Sequence, residues 1–363
     1  MKLLFDARWI LLEDRFDGVS RYSHELARAL AERDDLEITW LIHDMRQLDK
    51  LPKGDYLLAN DPNNITAELF NLARTINASG HSLVYSPFFM MGTLGKRYNL
   101  VLTIHDLIYF KHRTPPQWLP WHVRAGWWLF HATYWPMRWQ LNRANAIATV
   151  SETAKQELLA ARATKRPIVT VPNAVAQEFT PNNTFAHYQS NDIVYMGAFT
   201  PYKNVECLIH ALRFLPEATL HLCSKVPPIR KKQLSQLAES VGVSDRITWH
   251  NGIPDTAYRE LLNSARCSIS ASKIEGFGLS VLEAQAQGVP MVCSDIPIFH
   301  EVGGDGVLYF DESNPEHAAK VIADLSDEST STALIERGYE NAQRYTWQAS
   351  AEAASAMLHT KRT

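Results

Sequence analysis

Short apolar runs alternate with longer stretches of helical period from one end of this chain to the other, and that alternation leaves few architectures open. Such runs are strands buried on both faces, and a helix between successive ones makes a parallel crossover. The first half predicts strands over 3–6, 37–42, 83–85, 100–105 and 146–150, with helices over 21–32, 67–77, 118–142 and 152–161. P-N-N-T-F-A-H-Y-Q-S-N-D, over 181–192, is polar and rich in turn formers, as a linker is. The alternation then restarts: I-V-Y-M, T-L-H-L, I-T-W-H, C-S-I-S and P-M-V-C read as strands, with helices near Val205, Ile229, Asp255, Leu279 and Pro315. The reading is an α/β protein of two Rossmann-like, doubly wound domains over 1–185 and 186–345, followed by a C-terminal segment over 346–363.

Composition narrows the function. With 363 residues, 46% of them hydrophobic, there is apolar material for two cores. A formal net charge of −3 leaves no general excess of cations to neutralise a phosphate backbone, so no nucleic-acid partner is expected. Cys207, Cys223, Cys267 and Cys293 form no C-x-x-C pair, which points to a reducing, cytoplasmic compartment and to neither zinc nor disulfides. Asp6 and Arg8 interrupt the opening M-K-L-L-F too soon for a signal peptide, and no apolar run reaches the roughly 18 residues of a spanning helix.

The most informative segment is S-K-I-E-G-F-G-L-S-V-L-E-A-Q-A-Q-G-V-P, over 272–290, directly after the strand C-S-I-S. Gly276 and Gly278 permit a tight strand-to-helix turn, and a helix starting near Leu279 would turn its free N–H groups and positive dipole end toward the mouth of the sheet, where anions bind. Glu275 in the turn and Glu283 in the helix could each accept hydrogen bonds from hydroxyls of one ligand, a hexose at the first and a ribose at the second. The pattern alone equally describes a dipole-complementing glutamate and a surface glutamate.

Two glutamates separated by seven residues, G-F-G after the first, then E-A-x-A-x-G-x-P, resemble the signature of glycosyltransferase family 4. The resemblance runs the length of the chain and implies a GT-B fold: two Rossmann-like domains with a cleft between them and a C-terminal helix that crosses back. It also implies retention of anomeric configuration without a metal or other cofactor. D-G-V-S-R-Y-S-H-E-L matches the opening glycine loop and helix, which places Gly18 near the donor diphosphate and the acceptor; Arg21 is an acceptor candidate. T-I-H-D-L matches a strand end whose histidine, here His105, contacts the transferred sugar; Asp106 and Tyr109 become acceptor candidates at the domain interface. V-P-N-A-V has Asn173-Ala174-Val175 where the family usually has Asn-Gly-Val. Y-M-G-A-F-T-P-Y-K-N matches the strand and basic loop of the diphosphate, with Lys203 as the stabilising cation. Many members carry an arginine directly after that glycine, where this chain has Ala198; Lys225, Arg230 and Lys273 are candidate substitutes. H-N-G-I-P-D matches a nucleobase loop and nominates Gly252 and Ile253, while Glu275, Gly276, Phe277, Gly278, Leu279 and Glu283 complete the donor-binding set.

The resemblance is strongest to mannosyltransferases of bacterial surface polysaccharide assembly, which makes GDP-mannose the first donor expectation and a UDP-sugar the second. No nucleophile paired with a base is evident and no Asp-x-Asp occurs, so the expected mechanism has the donor phosphate take the acceptor proton on the face the leaving group departs from, with His105, Lys203 and Glu275 as catalytic residues. The acceptor is expected to be a glycan or a polyprenyl-diphosphate-linked glycan. Between Leu107 and Ser151 no acidic residue occurs, whereas Lys111, Arg113, Arg124, Arg138 and Arg143 stand among Trp118, Trp121, Trp127, Trp128, Trp135 and Trp139. That mixture suits peripheral contact with an anionic membrane at its inner face; the other reading packs the tryptophans inside the domain. A non-catalytic nucleotide-sugar binder and a sugar-nucleotide epimerase are the alternative functions on this fold.

Overall fold

The computed structural model describes residues 1–12, 17–115, 120–176, 178–181 and 186–360. It divides into two compact units, one of 1–173 with 346–363 and one of 174–345.

The first unit is built on a parallel sheet of seven strands: β1 (Lys2–Asp6), β2 (Glu37–Ile42), β3 (Asp55–Leu58), β4 (Leu83–Ser86), β5 (Asn99–Ile104), β6 (Ala146–Thr149) and β7 (Ile168–Thr170), in the order β3-β2-β1-β4-β5-β6-β7. The inner strands are nearly uninterrupted apolar runs because helices cover both faces. Leu4, Leu41, Val84, Leu100, Leu102 and Ile147 form the middle of the core. The order reverses between β1 and β4, so the segments leaving those strands flank a crevice at the carboxyl edge, where open α/β sheets hold ligands.

The second unit repeats the design with six parallel strands: β8 (Asp192–Tyr195), β9 (Thr219–Leu222), β10 (Ile247–Trp249), β11 (Cys267–Ser270), β12 (Met291–Ser294) and β13 (Leu308–Phe310), ordered β10-β9-β8-β11-β12-β13. Ile193, Tyr195, Leu220, Ile269, Val292 and Phe310 pack in its core. Its switch point lies between β8 and β11, whose following loops carry Lys203 and Glu275.

Several expected elements move. β3, β7 and β13 escaped the sequence reading, and each is a sheet edge whose side chains are mostly not fully buried, so the apolar run that betrays an inner strand is missing. The helix expected over 118–142 is two, Trp121–Ala132 and Trp135–Asn142, separated where Thr133 is extended, with Pro136 in the first turn of the second; Trp118 lies outside the described residues. The helix expected over 67–77 likewise divides at Asn71 into Ile65–Phe70 and Leu72–Ala78. The helices Pro297–Gly303 and Glu328–Ala342 were not foreseen.

The units part after Asn173, upstream of the expected 185. Packing explains the difference: Phe179 meets Tyr258 edge-on at 6.3 Å, and Pro181 lies against Gly288, so this stretch belongs to the second unit. After Tyr345 the chain rejoins the first unit as the helix Trp347–Thr360, which packs on the helix Gly18–Ala31. Trp347 stands 5.9 Å from Tyr22, Ser350 donates to the Pro172 carbonyl at 2.7 Å, and Asp35 accepts from Ser355 at 2.7 Å. Among the described residues no helix is long and apolar enough to cross a membrane.

Candidate active site

At the switch point of the second unit the loop after β8 runs Met196 to Lys203 and the loop after β11 runs Ala271 to Gly278. They are stitched together by the Lys273 amide, which donates to the Tyr202 carbonyl at 2.8 Å. Lys203 and Glu275 form a direct ion pair through Glu275 Oε1, with side chains only 16% and 11% exposed. The same oxygen accepts from Ser272 Oγ at 3.0 Å, and Ser272 is in turn 3.2 Å from Ser270 Oγ. Glu275 Oε2 has no protein hydrogen-bond partner among the described residues. One oxygen of the carboxylate is thus anchored and the other is available to accept from a ligand hydroxyl.

Gly278 turns the chain into the helix Leu279–Gln287. Its φ of +95° is left-handed, and a Cβ there would stand 2.8 Å from Phe299 Cε1, so both backbone and space select glycine. No side chain caps this helix, which leaves its N-terminal polarity to an incoming anion. Phe277 is buried edge-on against Tyr345 at 5.9 Å. Glu283 is 6% exposed and accepts from the Tyr258 hydroxyl at 3.4 Å, so it is no surface glutamate. Glu275 and Glu283 therefore keep separate protein partners, and Lys203 with Glu275 is the pair the fold brings into contact.

The nucleobase-loop candidates lie in a tight turn after β10. The amides of Gly252 and Ile253 both donate to the Cys223 carbonyl, at 2.9 and 3.1 Å. Asn251 and Gly252 are both left-handed, and Asn251 Oδ1 accepts from the Val226 amide at 3.2 Å. Behind the loop His221 joins His250 at 3.1 Å and Asp192 at 3.1 Å.

In the first unit His105 follows β5. Its Nε2 lies 2.9 Å from the Pro87 carbonyl, which only accepts, so Nε2 carries the proton and Nδ1 is left as an acceptor. Burial pushes its pKa below the ordinary 6.5 against the opposing effects of the Pro87 bond and the Asp17 carboxylate, and the ring is neutral at pH 7. Tyr22 meets it edge-on at 4.9 Å, and Tyr22, Tyr85 and Thr103 form a buried hydroxyl chain with spacings of 3.1 and 3.2 Å. Asp106 accepts from the Ile108 amide at 2.8 Å and so shapes the turn after the strand. Tyr109, 40% exposed, stands edge-on to Trp127 at 5.2 Å. Gly18 is the first residue of its helix, capped by Asp17 through the Ser20 amide at 2.7 Å; a Cβ at Gly18 would meet nothing within 4 Å, so protein packing does not itself demand glycine. Arg21 lies in the next turn, its amide bonded to the Asp17 carbonyl.

Three site features escaped the sequence reading. Ser272 could have been noticed three residues before Glu275, whereas Tyr258 comes from another helix with no local signal. The third is a buried lock at the end of β1: Arg8 makes a fork to Asp6 at 2.8 and 3.0 Å and reaches Glu68 at 2.8 Å. Glu68 also accepts from the Gly92 amide at 2.9 Å, so the lock ties the loops around 60–68 and 88–92 to the carboxyl edge of the first sheet.

This fold has known counterparts. Residues 16–179 match the family model Glycosyltransferase Family 4, and residues 177–341 match Glycosyl transferases group 1. O-antigen chain mannosyltransferase B of Escherichia coli is 26% identical over 367 residues, covering 91% of this chain and 93% of that protein. O-antigen chain mannosyltransferase RfbU of Salmonella typhimurium is 26% identical over 198 residues, covering 53% and 54%. Among solved structures, a sucrose-phosphate synthase from Thermosynechococcus elongatus superposes with a TM-score of 0.77 at 18% identity, covering 99% of this chain and 98% of that one. WaaG, a glycosyltransferase involved in lipopolysaccharide biosynthesis, superposes with a TM-score of 0.68 at 15% identity, covering 98% and 99%. Two parallel sheets and both family models agree: the chain is a glycosyltransferase of GT-B fold, a Glycosyltransferase Family 4 domain followed by a Glycosyl transferases group 1 domain.

Proposed function

We propose that this glycosyltransferase moves mannose from GDP-mannose to a glycan acceptor, with retention of configuration, in the assembly of a bacterial surface polysaccharide. The observation that carries the reading is the Lys203–Glu275 pair beside the uncapped helix Leu279–Gln287. Lys203 and the helix N-terminus would hold the diphosphate and stabilise charge that grows on it as the bond to the sugar breaks. Glu275 Oε2 and His105 Nδ1 would accept sugar hydroxyls, and Glu283 a ribose hydroxyl, while a donor phosphate oxygen takes the acceptor proton on the departing face. Gly18 would leave room at the acceptor side, with Arg21, Asp106 and Tyr109 as contacts. No metal ion or other cofactor is required in this scheme. The mannosyltransferase relatives support mannose, and GDP is the nucleotide that goes with it in the expected donor. The test is incubation with GDP-mannose, GDP-glucose and UDP-glucose, with and without a chelator, followed by NMR assignment of the product anomer. Transfer from GDP-mannose with retention is expected; turnover confined to a UDP-sugar, an inverted product, or an epimer without a new glycosidic bond would each reject it.

The tryptophan-rich segment supports a lipid-linked acceptor, such as a polyprenyl diphosphate, reached at the inner face of the cytoplasmic membrane. Trp121, Trp128, Leu129, Trp135 and Trp139 are exposed, Trp121 by 80%. Large exposed aromatics on a segment without acidic residues suit insertion at an anionic headgroup layer. The attraction is tempered by cations already engaged: Lys111 pairs with Glu157, and Arg143 bonds Thr93 and covers the Trp139 ring at 5.1 Å.

A further inference from the structure

A nucleoside diphosphate leaving group carries more than one negative charge, yet Lys203, a cation at the switch point, already faces Glu275. The exposed Ala198 offers no charge of its own. We propose that Arg230, at the start of the helix Pro228–Ser240, is the second cation of the donor diphosphate site, a deepening that rests on Lys203 being the first.

Arg230 is held against the loop that carries Lys203. Its Nε donates to the Phe199 carbonyl at 2.9 Å, directly after Ala198, and its Nη2 to Glu206 Oε1 at 2.6 Å. The side chain is 17% exposed, and its Nη1 has no protein partner among the described residues, so a donor edge of the guanidinium is unoccupied. The loop itself is fixed from beneath, since the buried Tyr195 hydroxyl donates to the Ala198 carbonyl at 2.7 Å. The helix placement agrees: Arg230, Lys231 and Lys232 crowd the positively polarised end, with no acidic residue in the first turn and no capping side chain. Cations there are repelled by the dipole until an anion arrives. Donor binding would then leave Nε on Phe199 while the Nη1 edge takes a phosphate oxygen, a planar fork that suits phosphate.

Isothermal titration of the intact chain with GDP, GMP and UDP tests the assignment. Relative to the parent, Arg230→Ala is expected to weaken the bound diphosphate at least tenfold and to reduce the preference for GDP over GMP. Arg230→Lys should recover part of the loss, Ala198→Arg in the Arg230→Ala background should recover more, and Lys232→Ala should bind as the parent does. If Arg230→Ala keeps parental affinity while Lys203→Ala loses it, Arg230 is only a prop for the loop and the inference is wrong. It is equally wrong if Ala198→Arg rescues nothing and GMP weakens as much as GDP, or if Lys232→Ala weakens binding to the same extent. Should Lys203→Ala also bind normally, or the parent bind neither diphosphate, the donor-site reading itself falls.

Discussion

Lys203 and Glu275 illustrate how a motif residue acquires a role that spacing alone cannot give. They neutralise each other directly, so a donor must find a lysine already turned toward a carboxylate and a carboxylate already steadied by Ser272. Replacing either by alanine is expected to lower kcat/KM by about a hundredfold or more, the usual loss when a preorganised electrostatic contact goes. Stranding the partner charge adds a stability loss of about 1–3 kcal/mol, visible in denaturant titrations. Turnover near the parent's in both variants would remove them from the mechanism. His105 makes a sharper prediction, because its two nitrogens have different tasks. Asn mimics Nδ1 and Gln mimics Nε2, so His105→Asn should retain more kcat than His105→Gln by about tenfold, worth ~1.4 kcal/mol; the reverse order would assign the sugar contact to Nε2. Its lowered pKa also fixes a sign: unfolded His105 takes a proton as pH falls through 6.5 while the folded ring resists, so its burial costs stability only on the acid side. Little of this was legible in the sequence. T-I-H-D-L and S-K-I-E-G-F-G name the residues, but the Pro87 carbonyl that selects the His105 tautomer is supplied by a different strand end.

At the level of elements, legibility followed burial. Inner strands such as β1 and β8 announce themselves because both faces are covered, whereas β3 alternates too weakly to be seen at its exposed edge. The tryptophan-rich stretch misled for a related reason: its apolar residues are spread around the helix instead of along one face, so periodicity could not locate the break at Thr133. That spread is itself the basis of a prediction. Sedimentation with phosphatidylglycerol vesicles should capture the parent at low salt, and Trp121→Ser with Trp128→Ser and Trp135→Ser should release it while GDP binding is unchanged; equal capture by phosphatidylcholine, or none by either, counts against the membrane face. The turn into Leu279–Gln287 is the opposite case: the glycines at 276 and 278 mark it in the sequence, and at Gly278 backbone and space both select glycine. With φ at +95° and Phe299 at 2.8 Å from any Cβ, Gly278→Ala is expected to cost roughly 1–3 kcal/mol and to weaken GDP binding; an unchanged Tm would mean the turn relaxes freely.

The whole molecule is asymmetric in a way its repeated α/β pattern hides. The second unit is one continuous stretch, 174–345, while the first needs the helix Trp347–Thr360 returned to it from the far end of the chain. That helix buries Trp347, Ala351, Ala354, Met357 and Leu358, and its three large side chains are worth about 1.5–3 kcal/mol each, comparable with the ~5–15 kcal/mol that separates a folded domain from its unfolded state. Asp35 adds to the attachment: hydrogen bonds from Arg33, Ser355 and His359 hold its carboxyl well below the ordinary 3.8, a contribution present above that value and lost as pH falls beneath it. Residues 174–345 alone are therefore expected to unfold cooperatively and to bind GDP, with an affinity reflecting only their share of the site. Residues 1–173 alone should lack a cooperative transition, and joining them to 346–363 through a flexible linker should restore it, with Asp35→Asn lowering Tm at pH 7 but less so below pH 3.8. Cooperative unfolding of 1–173 without the final helix would show that the returning segment decorates a domain already complete.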